Sequence, residues 1–381
     1  MSRAWRPVPV ILASVLVLCG CAGSSRDAEL RVGLLVPLSG SFRSLGTSVV
    51  EGAALAVEQA NRDGGLLVGN RRHRVVLLER DTLASPEEAM RAAAELINQS
   101  KVAALIGPPA SRTAIPVGRA ADRAWVPLIT PIATNPAVTE GTRCVFRVCF
   151  TDSFQGEVLA RFARETLEAE RAAVLFDVSN EYNRDMASMF ARLFEDLGGA
   201  VVAEEEYVTG ETDFRPHIRR IAASRPDVLF LPNFVRDVVT QLEQIRAAGL
   251  QAQVLGSDTM SFRNEEDVRA LEGVYFSTHF SAGAPEEAVS RFSDEYRERF
   301  GREPTIAGAL TYDAFQLLYR VVTEEMSMET GAICCGLRRV DRFEGVTGAM
   351  IFDGSPDPEK SAVIMHVRDG AFQFHSRVEP R

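Results

Sequence analysis

The strongest constraint on the fold is a regular alternation of short apolar, β-type runs with helix-period segments along almost the whole chain. Leu30–Val36 reads as a buried strand. Ser48–Arg62 follows as a helix, closed by the stop signal Asp63-Gly64-Gly65. Strand Val75–Leu78, helix Pro86–Gln99, strand Val102–Ile106, helix Ile115–Ala124 and strand Val126–Thr130 complete a first series. A second series opens with helix Gln155–Leu167, strand Ala172–Phe176, helix Arg184–Leu197 and strand Val201–Tyr207. Helix Phe214–Ala223, strand Val228–Leu231, helix Val235–Ala248 and strands Gln253–Leu255 and Val274–Ser277 close it. Helices Glu286–Phe300 and Ile306–Glu325 follow, then short β runs at Ala349–Phe352, Ala362–Val367 and Ala371–Phe374. Strands separated by helices of this length demand right-handed crossovers, hence parallel sheets covered on both faces. A chain of 381 residues exceeds what one hydrophobic core serves, so the expected class is α/β with two doubly wound parallel-sheet lobes. Ligands in such sheets bind beyond the carboxyl ends of the strands. The residues just after each strand are therefore the candidates for function.

The amino terminus has a different character. Arg3 and Arg6 precede an apolar run, Val8–Leu18, which contains Pro9. That run is about half the ~20 residues needed to cross a bilayer, so it reads as the core of a signal peptide over residues 1–20. It ends in Leu18-Cys19-Gly20-Cys21, which resembles the lipobox of bacterial lipoproteins. The resemblance implies a fatty-acylated Cys21, a polar tether over residues 21–29, and residence in the periplasm or at the cell surface. Two acyl chains make a durable anchor. No later stretch is apolar for long enough to span a membrane. Ala22, where an aspartate would signal retention in the inner membrane, leaves outer-membrane placement open.

Composition narrows the function. A net charge of −10 argues against a nucleic-acid partner and against a basic membrane-surface patch. The sequence has no Gly-x-Ser-x-Gly elbow, no phosphate-binding Gly-rich loop and no His-Glu-x-x-His pair, so an enzyme such as a hydrolase is disfavoured. Without a Cys-x-x-Cys pair or a histidine cluster, no metal or other cofactor is expected. Cys144, Cys149, Cys334 and Cys335 lie in a chain destined for an oxidising compartment, and their pairing is open. Cys144 and Cys149 flank a strand-like run and would sit about 16 Å apart, too far to bond unless the chain turns.

An ordered set of short motifs adds a family resemblance covering Leu30 to the end. They are Pro37-Leu38-Ser39-Gly40, Gly52-Ala53, Asp63-Gly64-Gly65, Ile106-Gly107 with Ser111, and Pro127-Leu128-Ile129-Thr130-Pro131 with Thr134-Asn135-Pro136. Phe146-Arg147, Gln155-Gly156, Thr212-Asp213-Phe214, Pro226-Asp227, Tyr312-Asp313-Ala314, Gly345-Val346-Thr347-Gly348 and Phe352-Asp353 continue it. The set resembles the leucine/isoleucine/valine-binding branch of the type I periplasmic solute-binding proteins. That fold implies two lobes joined by three hinge strands, with crossings near Phe150–Asp152, Ser277–Ser281 and Ser355–Lys360. Lobe 1 would hold residues 30–150 and 281–355, and lobe 2 residues 151–280 and 356–381.

The resemblance also implies a site. Ser111, the backbone at Ile132, and Thr134 fall where the family holds a ligand's α-carboxylate and ammonium. Asp258 falls where an acidic residue, often glutamate, meets the ammonium. Tyr182 and Phe234 occupy aromatic wall positions, and Leu45 a wall position that is often aromatic. Asn183 replaces a glycine that often follows the tyrosine. Read without the family, Ser111 would cap a helix, and Thr134 and Asp258 would make turns. Tyr182, Phe234 and Leu45 would be ordinary core residues. Arg112 reads as a solvated surface charge. The leading expectation is the monomeric capture subunit of an ABC importer, taking an amino acid of branched-chain type or an analogue. Its partners would be a permease and an ATPase, with the membrane touched through the lipid anchor alone. A ligand sensor of the same fold is the alternative.

Overall fold

The structure is a computed structural model that describes Met1 and residues 29–62, 64–261 and 267–378. The expected signal segment, Cys21 and the tether as far as residue 28 lie outside the described residues.

The first series folds as one sheet. Its elements are β1 (Leu30–Val36), α1 (Arg43–Arg62), β2 (Leu66–Val68), β3 (Arg71–His73), β4 (Val75–Asp81), α2 (Pro86–Asn98), β5 (Ala104–Ile106), α3 (Ser111–Arg123), β6 (Leu128–Thr130) and β7 (Val145–Arg147). The strand order is β4-β1-β5-β6-β7 and every pairing is parallel. Helix α1 begins five residues before the expected Ser48, because Gly46 packs where a Cβ would lie 1.7 Å from the Pro37 carbonyl oxygen. The weak helix formers Gly46 and Thr47 masked that turn in the sequence. The hairpin β2–β3 was also illegible: Arg71-Arg72-His73 has no apolar alternation.

The second series contains α4 (Asp152–Arg161), which ends in a π turn over Phe162–Thr166, then β8 (Arg171–Asp177), α5 (Glu181–Asp196) and β9 (Ala200–Tyr207). It continues with α6 (Arg215–Ser224), β10 (Val228–Leu231), α7 (Val235–Ala248), β11 (Gln253–Gly256), α8 (Asp267–Ala270) and β12 (Tyr275–Thr278). The chain then adds α9 (Glu287–Phe300), α10 (Ile306–Glu324), α11 (Thr330–Arg338) and the hairpin β13 (Arg342–Gly345) and β14 (Gly348–Ile351) to lobe 1. It ends in lobe 2 with β15 (Ala362–Arg368) and β16 (Ala371–Val378). The second sheet runs β16-β15-β12-β11-β10-β8-β9. Its five strands β8 to β12 are parallel and repeat the order of the first sheet, whereas β15 and β16 pair antiparallel at the edge. The expected doubly wound parallel core is present, and β15 and β16 add an antiparallel edge to it. Asp369 and Gly370 both take positive φ in a two-residue turn, and a connection so short returns the chain antiparallel.

Three segments pass between the lobes: 148–151, 279–286 and 352–361. A buried polar chain joins two of them. Lys360 Nζ donates to the Val148 carbonyl at 3.2 Å and to the Thr347 hydroxyl, which itself donates to Asp313 Oδ2 at 2.5 Å. The backbone N–H groups of Val346 and Thr347 donate to the same carboxylate at 2.8 and 2.9 Å. Gly345 lies so close that a Cβ there would sit 2.4 Å from Asp313 Oδ2. Burial pushes the Lys360 ammonium down to about 8, opposed by the nearby Asp313 carboxylate. The motifs Tyr312-Asp313-Ala314 and Gly345-Val346-Thr347-Gly348 thus serve the hinge, not the ligand.

The cysteines resolve as one bridge, Cys144–Cys334, which ties the start of β7 to α11 across 190 residues of sequence. Cys149 is a buried free thiol and Cys335 an exposed one. Helix α11 carries Cys334 and was not legible in a segment interrupted by Gly331 and Gly336.

Helices α1 and α10 approach most closely at Gly52, where a Cβ would lie 2.1 Å from the Gly308 carbonyl oxygen. Gly52→Ala must therefore push two packed helices apart. It is expected to destabilise lobe 1 by roughly 1–3 kcal/mol in urea denaturation, the usual cost of overpacking a core. An unchanged midpoint would show that this contact yields freely.

Candidate functional site: a cleft between the lobes

Ser111, Ile132, Thr134, Tyr182, Phe234 and Asp258 follow the carboxyl ends of strands, and the two sheets direct these ends toward each other. Ser111 follows β5. The helix there begins at Ser111 itself, four residues earlier than expected, and its N-cap is Ala110, which has no capping side chain. Ser111 therefore does not cap its own helix. Its hydroxyl accepts the Asn135 N–H at 3.4 Å, beside the unpaired N–H groups and positive end of a 13-residue helix.

Ile132 and Thr134 lie on the loop after β6, both buried. The Thr134 carbonyl accepts the Asp152 N–H at 2.9 Å. This loop is held from behind by Arg147, whose side chain is wholly buried. Its guanidinium donates to the carbonyls of Ala133 and Asn135 at 2.8 and 3.0 Å and to the Thr139 hydroxyl at 2.8 Å. The remaining Nε donates to Asp357, on the third hinge segment, at 2.5 Å. Arg147 thus fixes the position of the loop after β6.

On the other lobe, Tyr182 sits in the first turn of α5, which is capped by the Asn180 side chain accepting from Asn183 N–H at 3.4 Å. Asn183 needs no glycine-like backbone, because it is an ordinary helical residue whose amide donates to Asn233 Oδ1 at 3.1 Å. The Tyr182 hydroxyl donates to Asp258 Oδ1 at 2.7 Å, with Gln155 Oε1 at 3.3 Å. Burial, with the Asp258 charge adding to it, holds the phenol well above its ordinary range, so Tyr182 keeps its proton.

Asp258 starts the 3₁₀ turn Asp258–Ser261 after β11 and is buried. The turn is fixed by Thr259, whose hydroxyl donates to the Asn233 carbonyl at 2.7 Å. His279 Nε2 lies 3.4 Å from Asp258 Oδ2, and the imidazole stacks on Phe150 with ring centroids 3.6 Å apart. The ring nitrogens make no well-formed hydrogen bond. Burial lowers the His279 pKa below 6.5 against the pull of Asp258, so the ring is neutral at pH 7. Asp258 consequently has no charged cation beside it among the described residues.

Sequence reasoning missed several members of the site. Asp152, at the start of α4, is fully buried and neither carboxylate oxygen has a well-formed hydrogen bond. Burial pushes its pKa up to about 7, with Asp258 adding to the rise and the Thr134 hydroxyl and Arg147 opposing it. Phe42 was missed as well. Its ring meets Phe234 edge-on at 6.2 Å across the cleft, and Phe234 lies 6.3 Å from the Tyr182 ring. Leu45, expected as wall, packs against the core of lobe 1, and Phe42 is the aromatic that reaches the other lobe. Asn135 Nδ2 also bridges the lobes, donating to Asp185 Oδ2 at 3.1 Å. The signals were weak because Asp152 and Phe42 touch their partners only through the tertiary fold. Arg112 is exposed and bonds the Ala84 carbonyl, as its surface reading implies.

One lobe thus offers donors and a helix amino end, and the other offers carboxylates and aromatic rings. Such an arrangement defines a solute-binding protein whose lobes meet over a small ligand. The chain matches the periplasmic binding protein family over residues 29–371 and belongs to it, in the Leu/Ile/Val-binding branch with the type I fold. An amino acid binding protein of Pseudomonas aeruginosa is 30% identical over 61% of this chain and 61% of its own length. The Leu/Ile/Val-binding protein homolog 3 of Brucella melitensis is 27% identical over 62% of this chain and 63% of its own. This chain therefore spans about three fifths of those two relatives. Among solved structures, the leucine-binding protein LivK of Thermotoga maritima superposes with a TM-score of 0.83 at 30% identity, covering 92% of this chain and 99% of that one. LivJ of Streptococcus pneumoniae, in complex with isoleucine, gives 0.83 at 29% identity over 92% and 100%. The chain is therefore a member of a family of substrate-binding proteins, which are not enzymes.

Asp152 generates a pH signature. Its folded pKa of about 7 exceeds the ordinary 3.8, so between those values the folded state holds a proton that the unfolded chain releases. Stability falls as pH rises through that window, and the loss is complete above about 7. Asp152→Asn should remove this slope, making ligand-free variant and parent similar near pH 4 and the variant the more stable at pH 8. Thermal melts at the two pH values check this, and parallel pH profiles would show that Asp152 is ionised throughout.

Proposed function

We propose that this protein captures an α-amino acid, of branched-chain type or a close analogue, for an ABC importer. It does so outside the cytoplasm as a monomer, anchored through an acylated Cys21 and delivering the ligand to a permease driven by its ATPase. The observation that carries the reading is the buried Asp258 carboxylate, held by Tyr182 and left without a charged counterion beside a neutral His279. A ligand ammonium supplies the missing charge. Asp152, whose carboxyl has no well-formed hydrogen bond, and Thr134 stand ready for the remaining ammonium protons. The ligand carboxylate is received by the Ser111 hydroxyl, the amino end of α3 and the backbone around Ile132. Phe234, Tyr182 and Phe42 wall the side chain, with Leu45 behind them. Contacts with both lobes favour the closed form, which the permease would read. The named relatives support this ligand class, isoleucine being bound by LivJ.

Isothermal titration of ligand-stripped protein against leucine, isoleucine, valine and other α-amino acids tests the proposal. At least one should bind, and the matching 2-hydroxy acid, which lacks the ammonium, should bind far more weakly. Asp258→Asn is expected to lose at least about 30-fold in affinity, since breaking a buried charge pair costs roughly 2–5 kcal/mol. Its melting temperature should stay within a few degrees of the parent. Failure of all amino acids to bind would sink the ligand class, and wild-type affinity in Asp258→Asn would sink the role of that residue.

A further inference from the structure

Because all five strands of the first sheet are parallel, their amino ends lie along one edge of lobe 1, opposite the cleft. Helices α1, α2 and α3 end at the same edge. The segments entering these strands carry Arg71, Arg72 and Arg74 before β4, Lys101 before β5, Arg123 before β6 and Arg143 before β7, all exposed. The acids of the sequence in the same segments are Glu29, Asp63, Asp122 and Glu140. Glu29 is taken by Arg31 at 3.2 Å, and Asp122 Oδ1 accepts the N–H groups of Arg143 and Cys144 at 2.6 and 2.8 Å. Among the described residues Arg71, Arg74, Lys101 and Arg123 have no ion-pair partner.

Two large apolar side chains stand exposed on the same edge, Trp125 at 43% and Leu67 at 49%. The Arg143 guanidinium lies over the Trp125 ring, 4.5 Å from its centroid. Unpaired cations beside an exposed tryptophan and leucine match the headgroup layer of an anionic bilayer, where tryptophan partitions and arginine meets phosphate. The first continuous described stretch, from Glu29, also begins here. Leu30 pairs with Val75 at the start of the sheet, and Glu29 is eight residues after Cys21. Eight extended residues reach at most about 28 Å.

We propose that this edge of lobe 1 is a membrane-contact surface for anionic phospholipid, which turns the cleft and lobe 2 away from the bilayer. The proposal rests on the lipid-anchor reading, which brings this edge close to the membrane. The net charge of −10 does not oppose it, because at physiological salt a surface charge is felt over only about 8 Å. What governs is the local sign of the face presented, which the whole-chain charge conceals.

Of the two tryptophans, Trp5 lies in the expected signal segment, so Trp125 is the sole tryptophan of the mature chain and a built-in reporter. The experiment reconstitutes the mature protein, purified from membranes, into vesicles of phosphatidylcholine alone or with phosphatidylglycerol, doped with brominated lipid. Trp125 quenching should be at least twofold stronger with phosphatidylglycerol, and should fall at high salt. It should also fall in the triple variant Arg71→Glu, Arg74→Glu, Lys101→Glu, whose amino-acid affinity should match the parent. Equal quenching in the two lipids, or in parent and variant, overturns the proposal. Mass spectrometry of Cys21 is read separately. A chain without acyl groups refutes the anchor, and the same quenching is then measured on protein added to the vesicles at millimolar lipid, with the same outcomes deciding.

Discussion

The cleft depends on Arg147, a guanidinium taken wholly out of water at the end of β7. A buried cation is tolerable only if its donors are satisfied and its charge is answered. Arg147 meets that demand with the carbonyls of the loop after β6 and with Asp357 on the third hinge segment. The same bonds fix the loop that presents Ile132 and Thr134 and tie it to a strand passing between the lobes. The loop after β6 and the hinge are therefore one mechanical unit. A change in lobe angle that moved Asp357 would be felt at Thr134 without any contact between them.

The hinge repeats this logic with the opposite charge. Asp313 is buried and satisfied by two backbone N–H groups and Thr347, and the chain continues to Lys360. Both polar clusters lie at the segments that join the lobes, where purely apolar packing would allow many nearly equivalent geometries. Directional bonds narrow the choice. The cleft shows the converse arrangement, for Asp152 is a buried carboxyl without a well-formed hydrogen bond and Asp258 a buried carboxylate held by the Tyr182 hydroxyl and no salt-bridging cation. The polar groups are satisfied at the hinge, whereas in the cleft Asp152 is pushed toward its protonated form by burial and Asp258 has no charged partner beside it.

Much of this was legible in the chain. Strand and helix order follows from hydrophobic periodicity, and the parallel sheets follow from the length of the connections. Ser111, Thr134, Tyr182, Phe234 and Asp258 could be placed after strands because ligand sites in open parallel sheets lie there. The failures have specific causes. Gly46 concealed the first turn of α1, since helix propensity is local and the packing that overrides it is not. Asp152 read as an ordinary residue opening a helix, and only its burial between Thr134 and Asp258 marks it out. Cys144 and Cys334 could not be matched, because a loop of 190 residues carries no trace of its closure.

The division has a single physical reason. The sequence by itself determined what depends on neighbours along the chain: periodicity, crossover length, the apolar run before Cys21 and the residue type after each strand. The tertiary structure alone decided what depends on neighbours through space. Which carboxylates remain unpaired, which aromatic ring meets Phe234, and which cations gather along one edge of lobe 1 belong to that second class. Burial and electrostatic screening act over ångströms of space, and residues far apart in the chain become neighbours only when both sheets are complete.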